Sequence, residues 1–152
     1  MFCSRQMNTK INRIHERALR IIHKDYTSSF TELLIKDNSL TIHHKNIHRV
    51  AIEMFKVKNG LCPSFLSELF QLNINGPHTR QRNTFMRPKV STVYKGDGSL
   101  QNFGPIVWNN LLPQALKECN TLAEFKIALK YWIPENCPCR LCKNYVQGLG
   151  FV

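Results

Sequence analysis

The chain holds no uninterrupted apolar run of about eighteen residues, the length a membrane-spanning helix needs. Met1 to Lys10 contains no continuous apolar segment of the kind a secretory signal requires. The expected setting is therefore intracellular, cytoplasm or nucleus, with no membrane partner. Acidic residues are also scarce. Only ten Asp and Glu are present, the only aspartates are Asp25, Asp37 and Asp97, and no two acids are adjacent. Paired carboxylates of the kind that serve acid–base or two-metal chemistry are therefore scarce, and an enzyme would need a cleft joining acids or histidines far apart in sequence. A phosphate-cradling glycine loop is missing too. Gly96-Asp97-Gly98 is too short and is not followed by Lys-Ser/Thr. No G-x-S-x-G nucleophile turn occurs. These absences leave no expected catalytic centre and no evident small-molecule substrate.

Positive charge is abundant. The 21 Lys and Arg outweigh the acids to give a net charge of +11, and the excess is unevenly placed. Residues 1–24 carry six bases and one acid, and residues 71–112 carry five and one. Residues 25–70 carry five of each and are neutral. Charge gathered in two segments points to a polyanion, most often a phosphate backbone. The plainer alternative is a set of solvated basic helices that keep the protein dispersed.

At 152 residues with 43% apolar content, the chain can bury a core as one domain or one domain with a tail. Ile11, Ile14, Ala18, Ile21 and Ile22 recur at helical spacing and predict a helix over residues 10–24 that buries its isoleucines. Arg13, Arg17, Arg20 and Lys24 form a second row on that helix, directed outward. Ser29-Phe30-Thr31-Glu32 is a capping box that starts a short helix through Lys36. Thr41 is the predicted cap of a longer helix from Ile42 to Asn59, stopped by Gly60, with Ile47, Val50, Ala51, Met54 and Phe55 facing inward. A further short helix opens at Pro63 or Ser64. Composition changes near residue 71, and Asn73–Lys89 reads as an extended basic loop. Val90–Tyr94 is a possible strand, paired as a hairpin with Thr84–Met86. Residues 99–112 read as helical, with Gly104-Pro105 breaking or beginning a turn. Thr121-Leu122-Ala123-Glu124 is a second capping box, and its helix runs to Trp132. Both tryptophans are expected in the core.

The predicted fold is mainly α, in an α+β arrangement of five or six short-to-medium helices with a small central hairpin or extended basic loop. It divides as a helical part over 1–72, a basic loop or hairpin over 73–98, and a helical part with a cysteine-rich tail over 99–152.

Two constellations carry chemical interest. Cys137, Cys139 and Cys142 place three thiols within one short run, and Cys139 and Cys142 have the C-x-x-C spacing that fits a tetrahedral ion. Zinc is the one cofactor implied. Its fourth ligand is open among Cys3, Cys62, Cys119 and the six histidines. Buried reduced thiols are the competing reading, and redox chemistry a weaker third, since no βαβ pattern surrounds the motif. His43, His44 and His48 cluster without the glutamate of an H-E-x-x-H site and read as a polar helix face. His15 and His23 add to the charge of the first helix as pH falls. The second constellation is Arg80, Arg82, Arg87, Lys89 and Lys95 with Phe85 and Tyr94 among them. Guanidinium forks suit phosphate, and aromatic rings suit unpaired bases. An exposed loop that binds nothing is the alternative.

The run Lys10-Ile11-Asn12 to Arg17-Ala18-Leu19-Arg20 is followed by Ser29-Phe30 to Glu32-Leu33-Leu34 and then by Glu53-Met54-Phe55-Lys56-Val57. Thr79-Arg80, Phe85, Pro88, then Trp108-Asn109-Asn110-Leu111-Leu112-Pro113, Phe125-Lys126 and Trp132 continue the order. The tail Cys137-Pro138-Cys139-Arg140-Leu141-Cys142-Lys143 to Gly148-Leu149-Gly150-Phe151 completes it. In that order these motifs resemble the C-terminal region of jockey- and CR1-type non-LTR retrotransposon polyproteins, over nearly the whole chain. The familiar W-N-x-L-P pattern has one extra residue here before Pro113, which shifts the helix register. The Tyr/Phe-x-Asp-Asp turn of the polymerase and an endonuclease module are absent from the sequence.

The resemblance implies a C-terminal piece of an RNA-directed DNA polymerase polyprotein, without the polymerase's chemistry. The expected function is non-catalytic binding of an RNA or DNA backbone. Arg13, Arg17, Arg20 and Lys24 would form one phosphate-contacting row, and Arg80, Arg82, Arg87 and Lys89 a second. The alternatives are a protein-interaction module that docks on the rest of a retroelement polymerase, and an inactive genomic relic.

Overall fold

Helix signals written in short polar motifs set most of the architecture. The computed structural model describes residues 5–73, 84–89 and 99–133. Among them the structure is mainly helical: α1 (Arg5–His23), α2 (Phe30–Lys36), α3 (Ile42–Lys58), α4 (Ser64–Ser67), α5 (Leu100–Ile106), a π-helical turn (Val107–Leu111), α6 (Gln114–Lys117) and α7 (Leu122–Lys130). By packing the chain divides into two compact units, and the division falls inside α3 between Asn46 and Ile47. Composition had placed the boundaries near residues 72 and 98. A change in composition marks a change of surface, while a helix buried along its length can pass from one core to another.

Both capping boxes form. Ser29 accepts from the Glu32 N–H at 3.3 Å while the Glu32 carboxylate takes the Ser29 N–H at 2.7 Å. Thr121 and Glu124 make the same exchange at 3.2 Å in each direction. Each closes amide donors that a helix start leaves open. Thr41 accepts from the His44 N–H and caps α3, and Gly60, in the turn that follows the helix, has a left-handed φ of 66°. A residue with a side chain is strained there.

In the first unit, α1 packs on α2 through Leu19, Leu33 and Leu34, with Phe30 against them. The expectation that α1 buries its isoleucines is overturned. Ile14 and Ile21 are each 67% exposed and Ile22 is 66% exposed. The inward face is Asn8, Asn12 and Leu19, with His15 and His23 half-buried. Periodicity reveals that a helix has faces, but the turn that follows selects which face meets α2. Lys24 adopts φ 50°, and the Asp25 carboxylate gathers the N–H groups of Thr27 and Ser28 and the hydroxyls of both. That turn brings α2 onto the Leu19 side.

The second unit is built on aromatic rings. Ile47, Val50, Ala51, Met54 and Phe55 of α3 are buried, as their spacing predicts. Phe55 stacks on Phe125 with centroids 4.4 Å apart, and Trp108 lies 6.3 Å from Phe125 and 5.9 Å from Phe85. Trp108 is thus a core residue, as expected. Trp132 is half-buried and stacks on the His48 ring at 5.7 Å.

Gly104-Pro105 does not interrupt α5, contrary to expectation. Both residues lie inside it and are buried. A Cβ on Gly104 would sit 2.5 Å from the Met54 sulfur, so any side chain there would displace the Met54 side chain. Pro105 lacks the N–H that would bond one turn back, and the helix widens into a π turn two residues later. The Leu112 N–H reaches the Val107 carbonyl at 3.0 Å, a five-residue span. This turn winds one residue more than an α-helical turn.

The only β feature among the described residues is one antiparallel bridge, Leu72 to Phe85. The Asn73 N–H bonds the Thr84 carbonyl at 2.9 Å, and the Met86 N–H bonds the Gln71 carbonyl at 2.8 Å. Thr84–Met86 therefore pairs with residues 71–73. Its expected partner, Val90–Tyr94, lies outside the described residues.

Candidate nucleic-acid interface

The first basic row begins with the spacing of α1. Lys10, Arg13 and Arg17 are exposed along it, and Lys24 is exposed just past its end. Arg20 departs from the row in its role. Its guanidinium bonds the Glu16 carboxylate at 2.8 Å and donates to the backbone carbonyls of Tyr26 and Ser28. Three acceptors fix it as a brace for the turn between α1 and α2, so most of its donors are committed within the fold.

The described acids of this unit are each engaged locally. Glu16 meets Arg20, and Glu32 closes the α2 capping box. Asp37 lies 3.1 Å from His23. Asp25 accepts from the Ser28 hydroxyl at 2.8 Å and from Lys36 at 3.2 Å. Ser28, first through its hydroxyl and then through its N–H, holds the Asp25 carboxyl well below the usual carboxylate range, and Lys36 adds to this. The Ser29 N–H, and then its hydroxyl, lower the pKa of Glu32. Lys10, Arg13, Arg17 and Lys24 therefore stand as an exposed cationic row while the unit's carboxylates hold turns and caps.

Of the second row, Arg87 and Lys89 are exposed, whereas Arg80 and Arg82 lie outside the described residues. Arg87 is anchored: its Nε and one terminal nitrogen donate to Asn102 Oδ1 at 3.3 and 3.2 Å. A guanidinium has five donors, so three are left for a ligand. Phe85 is not the stacking platform that its spacing among arginines implied. It is 2% exposed and packs edge-on against Phe70 and Trp108. An aromatic side chain in a basic stretch has two uses, and here burial wins because the core offers rings on both sides. Tyr94 and Lys95 lie outside the described residues.

The segment 84–89 is held by a residue that sequence reasoning missed. Asn109, on the π turn, accepts the Phe85 N–H at 3.0 Å and donates to the Phe85 carbonyl at 2.8 Å. Its amide takes the place of a neighbouring strand. A second pair was also missed. Lys58 sits 5.4 Å over the Trp108 ring and donates to the Lys117 carbonyl at 2.9 Å, while Lys117 donates to the Asn109 carbonyl. Burial pushes the Lys117 ammonium pKa down, and repulsion from Lys58 pushes it further. Nothing in the spacing of residues 58 and 117 signals this approach.

Among the described residues, no group of three or more His, Cys, Asp or Glu is placed to hold a metal ion. His48 bonds the Trp132 carbonyl at 2.8 Å, and His43 is buried, so these histidines serve packing more than an open polar face. Burial lowers the His15 pKa, with Lys45 adding to the effect, so His15 charges less readily than its place on a basic helix implied. Cys62 and Cys119 are half-buried free thiols. Cys137, Cys139 and Cys142 lie outside the described residues. No described helix is long and apolar enough to cross a membrane. Comparison with family models, curated proteins and solved structures finds no match to this chain.

Proposed function

We propose that this chain is a non-catalytic nucleic-acid-binding module, the C-terminal part of a retrotransposon RNA-directed DNA polymerase polyprotein of the jockey/CR1 kind. The observation that carries the binding is the commitment of Glu16, Asp25, Glu32 and Asp37 to local partners beside exposed Lys10, Arg13, Arg17 and Lys24. Cations left without neutralising carboxylates attract phosphates and release their counterions. Arg87, oriented by Asn102, and Lys89 supply further contacts on the second unit. The retroelement origin rests on the ordered sequence motifs. The tail thiols Cys137, Cys139 and Cys142 would pin the end of the chain, with zinc or as reduced thiols.

The test is a titration of the protein with single-stranded RNA and duplex DNA at several salt concentrations. Log affinity should fall linearly with log salt, with a slope of about −3 to −5 for four to six neutralised phosphates. Absence of binding at about 50 mM salt defeats the proposal. Metal content of the purified protein, compared with that of Cys139→Ser, decides the zinc question.

A further inference from the structure

Among the described residues, helix α1 shows solvent an apolar face. Ile14, Ile21 and Ile22 are each about two-thirds exposed. Ile14 and Ile21 stand seven residues apart, and Ile11 and Ala18 precede them by three. This is the a/d spacing that seats one helix along another. In that register Lys10, Arg17 and Lys24 take the g position that flanks the seam in successive heptads. Asn8, His15 and Ile22 take the e position on its other border.

The flanking charges select the occupant. A second copy in parallel would set Lys10 and Arg17 against His15 and Ile22 and gain no ion pair. An antiparallel copy would set cation against cation. A bilayer surface is a poorer fit, because interfacial helices anchor through Trp, Phe and Leu, and none of these lies on this face. We infer that the exposed apolar face of α1 is the docking site for an acidic amphipathic helix of another protein, with apolar residues filling the seam and carboxylates meeting Lys10, Arg17 and Lys24. The docking shares Lys10, Arg17 and Lys24 with the proposed nucleic-acid binding, and the isoleucines distinguish the two, because phosphate contacts do not need them.

The probe is a labelled synthetic helix of about three heptads, with leucine at a and d and glutamate at e and g. Its fluorescence anisotropy is followed as the full-length chain is added. Saturable binding below about 100 μM is expected. A version with lysine in place of glutamate should bind at least about tenfold more weakly. The Ile14→Ser/Ile21→Ser variant should lose the peptide while keeping its circular dichroism and its nucleic-acid affinity. The Arg17→Glu/Lys24→Glu variant should reverse the preference toward the lysine peptide. Equal binding of the two peptides overturns the inference, as does an Ile14→Ser/Ile21→Ser variant that binds unchanged. A dimer in sedimentation that this variant abolishes would seat a second copy on the face. Stronger binding to anionic vesicles than to the glutamate peptide would seat a lipid surface there. Either result also overturns the inference.

Discussion

The Asn109 side chain pairs with both backbone polar groups of Phe85, at 3.0 and 2.8 Å, and so holds the segment from Thr84 to Lys89 against the π turn. The same turn carries Trp108, whose ring packs edge-on to that of Phe85. Asn109→Ala leaves one buried donor and one buried acceptor without a protein partner. The expected cost is about 1–3 kcal/mol, read as a lower midpoint in urea denaturation. Faster proteolysis within residues 84–89 should accompany it. An unchanged midpoint would show that water replaces the amide at no loss.

Gly104 lies against the Met54 side chain so closely that a Cβ at Gly104 would push that side chain aside. Gly104→Ala should destabilise the second unit by about 1–3 kcal/mol through overpacking. Met54→Ala alone should also destabilise, by about 2–5 kcal/mol, because it opens a cavity. Together the two changes should cost less than their sum, since the cavity accepts the new methyl group. Strict additivity in the double-mutant cycle would show that the two sites are not in contact.

Arg17 and Arg20 belong to one basic row in sequence and to two roles in the fold. Arg17→Ala should weaken RNA or DNA binding and lower the salt slope by about one, with stability nearly unchanged. Arg20→Ala should lower the thermal midpoint, because Glu16 and the carbonyls of Tyr26 and Ser28 lose their donor. Equal effects of the two changes on stability would remove the distinction.

Acid should weaken the protein in two stages. Burial lowers the pKa of His15 and of His48 below 6.5. A histidine shifted down binds fewer protons when folded than when unfolded. Its contribution is complete above 6.5 and is lost as pH falls toward the folded value. Asp25 and Glu32 are also shifted down, from 3.8 and 4.5, so their contribution holds above those values and fails below them. Thermal midpoints measured from about pH 8 to about pH 5 should decline below about pH 6.5. The His15→Gln/His48→Gln variant should flatten that decline. If it keeps the full slope, other groups govern the acid response.

Much of this architecture is legible in the sequence because it is encoded locally. Ser29 with Glu32, and Thr121 with Glu124, satisfy helix starts using neighbours three residues away, and both boxes form. The inward face of α3 is legible because five apolar residues share one side and the opposite side is polar. The first helix is different: it carries an apolar, a basic and a mixed face, and the mixed one is buried. The choice is made by the Lys24–Ser29 turn, whose Asp25 and Arg20 contacts emerge only in three dimensions. Pro105 misleads because it is read as a breaker, whereas a wide turn after it accommodates the lost bond. The placement of Phe85 depends on Phe70 and Trp108, and its clamp on Asn109, which are remote in sequence and leave no spacing to detect.

The widened coil at Val107–Leu111 bears on how the chain tolerates a change of length. One surplus amino acid in an ordinary α-helix turns everything downstream by about 100°. Here the excess is confined to a single loop of the spiral, so Phe103 before it and Leu112 after it both remain buried. Deletion of Asn110 should therefore leave the interior in place, read as a circular dichroism spectrum like that of the parent chain.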